Sequence, residues 1–212
     1  MRNFSNDLAI FSRTCMGWST LALLFLISIL YPMDTASGAD NFTGQLLVAS
    51  PEMSDPRFLQ TVIYMVRDDE NGTMGVVINK PIARGPIADL LKSFGTEPEE
   101  SKGDITLHYG GPVEPSKGFI LHSDDYRLDS TVRVRDGIAL TGDVELLRAL
   151  SVGKGPRRSL LVLGYVGWAP GQLEAEIKSG AWFLIPAEEE FIFGSDSESK
   201  WDRALDKRKI KL

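Results

Sequence analysis

The densest chemistry in the chain lies between Gly164 and Ile177, read G-Y-V-G-W-A-P-G-Q-L-E-A-E-I. Tyr165 and Trp168 supply large rings for a pocket wall. The glycines between them permit sharp turns and close backbone approach. Gln172 and Glu174 add an amide and a carboxylate. Two further segments of similar character each follow an apolar run: Asn79-Lys80-Pro81 and Gly110-Gly111-Pro112-Val113. Ligand sites favour loops beyond strand ends. The candidate binding residues are therefore Asn79, Gly110, Gly111, Pro112, His122, Tyr165, Trp168, Gln172 and Glu174. They form one site only if the three bends lie at the same end of the sheet, which the strand directions decide. Trp168, flanked by turn residues, reads as the surface ring. Trp182, inside an apolar strand, reads as buried.

Catalysis has a thinner basis. His108 and His122, the 2 histidines of the chain, each follow a leucine at a strand end. As a pair they could act as acid and base, or join Asp124 or Asp125 around a metal. No H-x-x-x-H spacing supports the metal, and bonding of both rings to nearby backbone is the simpler reading. If one histidine acts it is His122, because Ser123 and Asp124 follow it in a polar stretch. With Ser123, Ser50 or a nearby acid it would make an unassigned hydrolase. The G-x-S-x-G elbow that exposes such a serine is absent. Gly72-Thr73-Met74-Gly75 lacks the Lys and Ser/Thr of a phosphate loop, and Gly110-Gly111-Pro112 opens no evident helix. Glu174 and Glu176, two apart on a helix, point in different directions and make no catalytic pair. No metal and no cofactor are expected, and no catalytic set is assigned.

The elements that must position these residues follow from periodicity and punctuation. Strands are expected at Gln45–Ser50, Thr61–Val66 and Met74–Asn79, the latter two joined by a turn ending in Asn71-Gly72. Pro86–Phe94 reads as a helix, with Ile87, Leu90, Leu91 and Phe94 on one face and Gly95 as its stop. Short strands follow at Ile105–Tyr109, Gly118–His122, Thr131–Val134 and Ile138–Leu140, the last two paired through Asp136-Gly137. Thr141 is expected to cap a helix over Asp143–Leu150. Ser159–Leu163 reads as a central strand, Pro170–Ser179 as a helix and Ala181–Ile185 as a last strand. The fold expected is a single layered domain, α/β or α+β, with a mixed β-sheet and flanking helices.

Length and charge narrow the function class. The 212 residues, 43% hydrophobic and 25% charged, carry a net charge of -6. An acidic surface repels phosphate, so direct nucleic-acid binding is not expected. The basic tail from Lys200 to Leu212 reads as a solvated helix end, with contact to an acidic partner as the alternative. Glu188-Glu189-Glu190 reads as a solvated turn. The chain has 1 cysteine, Cys15, so no disulfide forms within it and the folded domain has no thiol nucleophile. Residues 1–40 read as a leader and 41–212 as the domain. Gly17–Leu30 is an apolar stretch after Arg2 and Arg13, and Ala36-Ser37-Gly38-Ala39 offers small residues for cleavage, the layout of an export signal. A start at Met16 or Met33 is the alternative. The stretch is too short to span a bilayer comfortably, since that takes about 20 residues.

Five segments resemble the AlgH family, also called YqgE-like proteins. They are Gly44–Pro51 with Asp55–Phe58, Gly72–Pro81, Gly110–Val113, Gly118–Ser123 and Gly164–Glu174. In order and spacing they cover Gly44 to Trp201. The resemblance implies an α/β fold and a cytoplasmic protein of no known reaction, linked by the family name to regulation of alginate synthesis. It supplies no catalytic residues, and the apolar leader falls outside the family pattern. Taken together, the residues and the resemblance point to a non-enzymatic regulatory module that binds a small ligand or protein partner. Such a module would be cytoplasmic, or exported if residues 1–38 are a signal.

Overall fold

The computed structural model describes residues 41–96 and 101–209. The expected leader and Cys15 lie outside the described residues. The strands are β1 (Gln45–Ala49), β2 (Val62–Asp69), β3 (Gly72–Val77), β4 (Pro81–Pro86), β5 (Asp104–Tyr109), β6 (Val113–Ser123), β7 (Val132–Arg135), β8 (Ile138–Thr141), β9 (Ser159–Trp168) and β10 (Trp182–Pro186). The helices are α1 (Ile87–Ser93), α2 (Val144–Ser151), α3 (Gln172–Lys178), α4 (Glu189–Phe193) and α5 (Lys200–Lys209). The architecture is α+β: a curled sheet, almost wholly antiparallel, with helices on its flanks. Strand order is β10-β1-β2-β3-β9-β6-β8-β7, with β5 beside β9 and β4 outside β5. Among the described residues only the β5–β9 pair is parallel, so the sheet is mixed by that pairing.

Alternation in the strands builds the core. Leu46, Val48, Val62, Tyr64, Val76 and Ile78 face one cluster, which α4 and α5 cover with Phe191, Ile192 and Ala204. Leu47, Ala49, Ile63, Met65 and Val77 face the other side, where Leu173 of α3 packs with Trp168 and Trp182. Further along that side, Ile120 and Leu161 meet Ile87 and Leu91 of α1 and Leu146 and Leu147 of α2. Burial on both faces is why these strands read as unbroken apolar runs.

Strand β9 is the joint of the sheet. Its first half pairs with β5 at Leu161–Leu163, and its last residues, Val166–Trp168, pair with β3. Gly110 fills the gap between those partners. Its N–H donates to Leu163 O at 2.7 Å, and its carbonyl accepts from Val77 N at 2.9 Å. A side chain is impossible at this crossing. A Cβ on Gly110 would stand 2.3 Å from Gly164 O, and one on Gly111 would stand 2.2 Å from the carbonyl of Tyr165.

Several local expectations are corrected. Tyr165–Trp168 is not a loop after a strand ending at Leu163, because β9 continues to Trp168 once the glycines let the 110–111 segment pass. The first hairpin turns at Glu70-Asn71, since Asp69 pairs with Gly72. Pro86, expected to open the helix, precedes α1 as the last residue of β4, a strand that among the described residues pairs only with β5. Asp143, not Thr141, caps α2 by accepting from Glu145 N at 2.9 Å. Glu189 and Glu190 begin α4 and pair with Arg158. The basic tail is docked, not merely solvated. Arg203 and Lys207 lie over the Phe191 ring at 5.0 and 5.2 Å, and Arg208 over Phe183 at 4.6 Å. The Trp201 indole donates to Ala49 O at 2.8 Å.

Candidate functional site

A groove of about 430 Å³ runs along the C-terminal end of β9. Pro112 and Val113 bound it at the start of β6, the 53–58 loop overhangs it, and Gln172 and Glu176 of α3 face Trp168 and Trp182 within it. The volume lies in the range of small-ligand sites, about 300–1,000 Å³.

Glu176 organises the wall. Its Oε2 accepts the Trp168 indole N–H at 3.0 Å and the Trp182 indole N–H at 2.8 Å. Its Oε1 accepts from Gln172 Nε2 at 2.9 Å. The helix makes this possible, because residues four apart share a face. Gln172 also accepts from Ala169 N at 3.1 Å, which ties the turn before α3 to the same network. The two indoles meet edge to face at 6.1 Å, and Phe58 adds a third ring 5.5 Å from Trp182. Both tryptophans are buried, so the expected surface position of Trp168 is corrected: it is only 6% exposed. With their N–H groups held, neither ring can rotate freely.

The rim carries a charge pair. Arg57 donates to Asp55 through Nε and NH2, the latter at 2.7 Å. Those bonds hold the Asp55 carboxyl below the usual carboxylate range. Lys80 Nζ donates to Arg57 O at 2.9 Å and fastens the loop from behind.

The candidate residues separate into three groups. Pro112, Trp168 and Gln172 line the groove. Asn79, Gly110 and Gly111 build its frame. Asn79 is buried, accepts from Val62 N at 2.8 Å and donates to Gln60 O at 2.8 Å, which pins the end of the overhanging loop. Tyr165, Glu174 and His122 stand apart. Tyr165 alternates with Trp168 along β9 and packs against Phe119 on the opposite face. Glu174 is exposed on α3. Missing from the sequence reading were Glu176, Trp182 and the Asp55–Phe58 stretch as wall residues. The only local signal was the Gln172–Glu176 spacing.

His122 is fully buried. Its Nδ1 lies 2.9 Å from Ser123 O, so it carries the proton and donates. Nε2 then accepts from Thr141 Oγ1 at 2.9 Å, and Thr141 accepts from Thr131 at 2.9 Å. Burial pushes the His122 pKa down. Ser123 Oγ donates to Asp125 Oδ1 at 2.5 Å and makes no bond to the imidazole.

His108 lines a larger cleft of about 630 Å³, opposite the segment Ser195–Ser199. Its Nδ1 lies 3.3 Å from Leu161 O, and burial lowers its pKa. The charged groups of that cleft are largely matched: Arg84 faces Asp104 at 3.5 Å and Arg203 pairs with Asp196. Among the described residues, no three of His, Cys, Asp and Glu gather as metal ligands. No helix among them is long and apolar enough to cross a membrane.

A family model described as AlgH-like matches residues 46–212. A UPF0301 protein of Methylobacterium sp. (strain 4-46) is 45% identical over 178 residues, covering 80% of this chain and 85% of the relative. One from Caulobacter vibrioides (strain NA1000 / CB15N) is 46% identical over 167 residues, covering 77% and 85%. The solution structure of the AlgH protein from Pseudomonas aeruginosa matches with a TM-score of 0.68 at 35% identity, over 80% of this chain and 90% of that one. A crystal structure of a Corynebacterium diphtheriae protein, 23% identical with a TM-score of 0.64 over 78% and 86% of the two chains, has the same fold.

Proposed function

Because this chain belongs to the AlgH-like family, a name that assigns no reaction, we propose a function from the groove itself: a non-enzymatic module that binds a small ligand or a partner segment against Trp168 and Trp182. One observation carries this reading. A single carboxylate locks two indoles in the wall of an open groove, so the wall is rigid before anything binds. Preorganisation of that kind lowers the ordering cost of association. The frame residues Asn79, Gly110 and Gly111 hold the 53–58 loop and the start of β6 around it. Residues 41–212 act as the binding domain and residues 1–40 as a leader, with the module cytoplasmic unless residues 1–38 direct export. Any part in transcriptional regulation is indirect, through the ligand or partner, because the cations of α5 are engaged with Phe191, Phe183, Asp196 and Glu188. The hydrolase alternative through His122 gains no support from the geometry, since both ring nitrogens have buried partners.

Thermal-shift screening of the wild type and Trp168→Ala against a metabolite library tests the reading. A ligand for the groove raises the wild-type Tm and leaves the variant's unchanged. Hits that stabilise both equally would remove the groove as the site.

A further inference from the structure

Glu176 is the charged group of the groove that no side chain of opposite sign matches. Asp55 and Arg57 cancel one another across 2.7 Å. Among the described residues, no ion pair includes Glu176. An ionised carboxylate has about four acceptor positions. Trp168 and Trp182 take two on Oε2 and Gln172 takes one on Oε1, so a position on Oε1 is left. N–H dipoles satisfy the oxygens without cancelling the charge, and a half-buried charge of that kind is best completed by an opposite one.

The two indoles are almost wholly buried, and their N–H bonds fix the Glu176 carboxylate in place at the groove. Within the same wall, Phe58 already carries the Arg57 guanidinium 5.4 Å from its centroid. An anionic ligand would instead meet Glu176 as a like charge.

We propose that the groove selects small organic cations, alkylammonium or alkylguanidinium groups, whose N–H donates to Glu176 Oε1 while the alkyl part lies against Trp168 and Trp182. This rests on the groove being the binding site. The selection acts on the charge, so a neutral molecule of equal shape binds less well.

Indole N–H resonances of the full chain provide the test, with n-butylammonium, n-butanol and butyrate as probes. The Trp201 indole, whose side chain packs with the core cluster on the other face of the sheet, is the internal control. Butylammonium should shift the Trp168 and Trp182 signals saturably and leave Trp201 in place, with at least tenfold weaker binding of butanol and butyrate. Glu176→Gln should weaken butylammonium at least tenfold. Gln172→Lys, at an exposed helical position, places a tethered ammonium four residues from Glu176 and should abolish butylammonium binding even if Glu176→Gln fails to fold. Equal binding of butanol and butylammonium would overturn the charge selection and leave the groove intact as a site. Unchanged butylammonium affinity in Gln172→Lys would overturn it as well. No shift with any probe would overturn the proposal, and the Trp168→Ala screen would then decide separately whether the groove binds at all.

Discussion

Trp168 and Trp182 donate their indole N–H groups to the same oxygen, Glu176 Oε2, at 3.0 and 2.8 Å. One residue ends β9 and the other begins β10, and those strands lie at different places in the sheet. A carboxylate on α3 therefore links two strands that share no hydrogen bonds with each other.

Removing that link leaves two buried donors without a partner. Each unsatisfied group costs about 1–3 kcal/mol. Glu176→Ala should destabilise the fold by about 2–4 kcal/mol, and Glu176→Gln, which keeps an amide oxygen for the indoles, by less. Urea unfolding followed by tryptophan fluorescence measures both. Equal loss in the two variants would mean that the indoles do not depend on this oxygen.

The glycines of the motif should behave differently from one another. A Cβ on Gly111 would stand 2.2 Å from the Tyr165 carbonyl, whereas one on Gly167 would come no closer than 3.5 Å, to the Tyr165 ring. Gly111→Ala forces backbone apart and should cost roughly 2–4 kcal/mol. Gly167→Ala should stay within about 1 kcal/mol of wild type. Denaturation midpoints of the two variants check the contrast, and similar losses would contradict the crossing.

Buried histidine gives an acid limb. His122 is pushed below its ordinary 6.5 by burial, with the Ser123 backbone bond opposing. Below pH 6.5 the unfolded chain takes up a proton that the folded imidazole refuses. Stability contributed by His122 is thus complete above that value and is lost as pH falls from 6.5 toward the folded pKa. His108 shifts in the same direction. The stability difference between wild type and His122→Gln should narrow as pH falls through this window. A constant difference from pH 7 to pH 5 would show that the imidazole titrates alike in both states.

At the alkaline end the sign is set by Lys200. Its Nζ donates to Ile192 O and Gly194 O at 3.0 Å and reaches Ile78 O at 3.4 Å, with no carboxylate among those acceptors. Burial holds its pKa at about 8, against an ordinary 10.5. Between those values the unfolded chain holds a proton that the folded one has released, so stability rises with pH across the window. Lys200→Met should lose that rise when compared with wild type between pH 8 and pH 9.5. A parallel course for the two proteins would contradict the assignment.

The strands were legible because apolar residues on both faces leave little doubt about burial, as in Leu46–Ala49 and Val62–Val66. The helices α1 and α3 were legible from apolar spacing and their closing glycines. Elsewhere a local signal had a tertiary meaning. Gly164 read as the end of a strand and Gly167 as part of the loop after it, yet Gly164 is needed where the 110–111 segment crosses β9. Pro81 read as part of a bend and Pro86 as the start of a helix, but β4 runs between them at an edge, where a missing N–H costs no ladder bond. Of the site, Trp168, Gln172 and Pro112 could be named in advance from ring, amide and turn chemistry. Glu176 could not, because its role depends on Trp182, which only the β1–β10 pairing brings near. Tyr165 and Trp168 were read together as one wall, and strand alternation sends them to opposite faces.

The central claim is that the groove beside Trp168 and Trp182 is where this protein binds. Amide and indole chemical-shift mapping with a ligand taken from the thermal-shift screen addresses it most directly. The account predicts perturbations confined to Met53–Phe58, Pro112–Val113, Gly167–Gln172, Glu176 and Trp182. Perturbations centred on His108 and Ser195–Ser199, with both groove indoles unmoved, would contradict it.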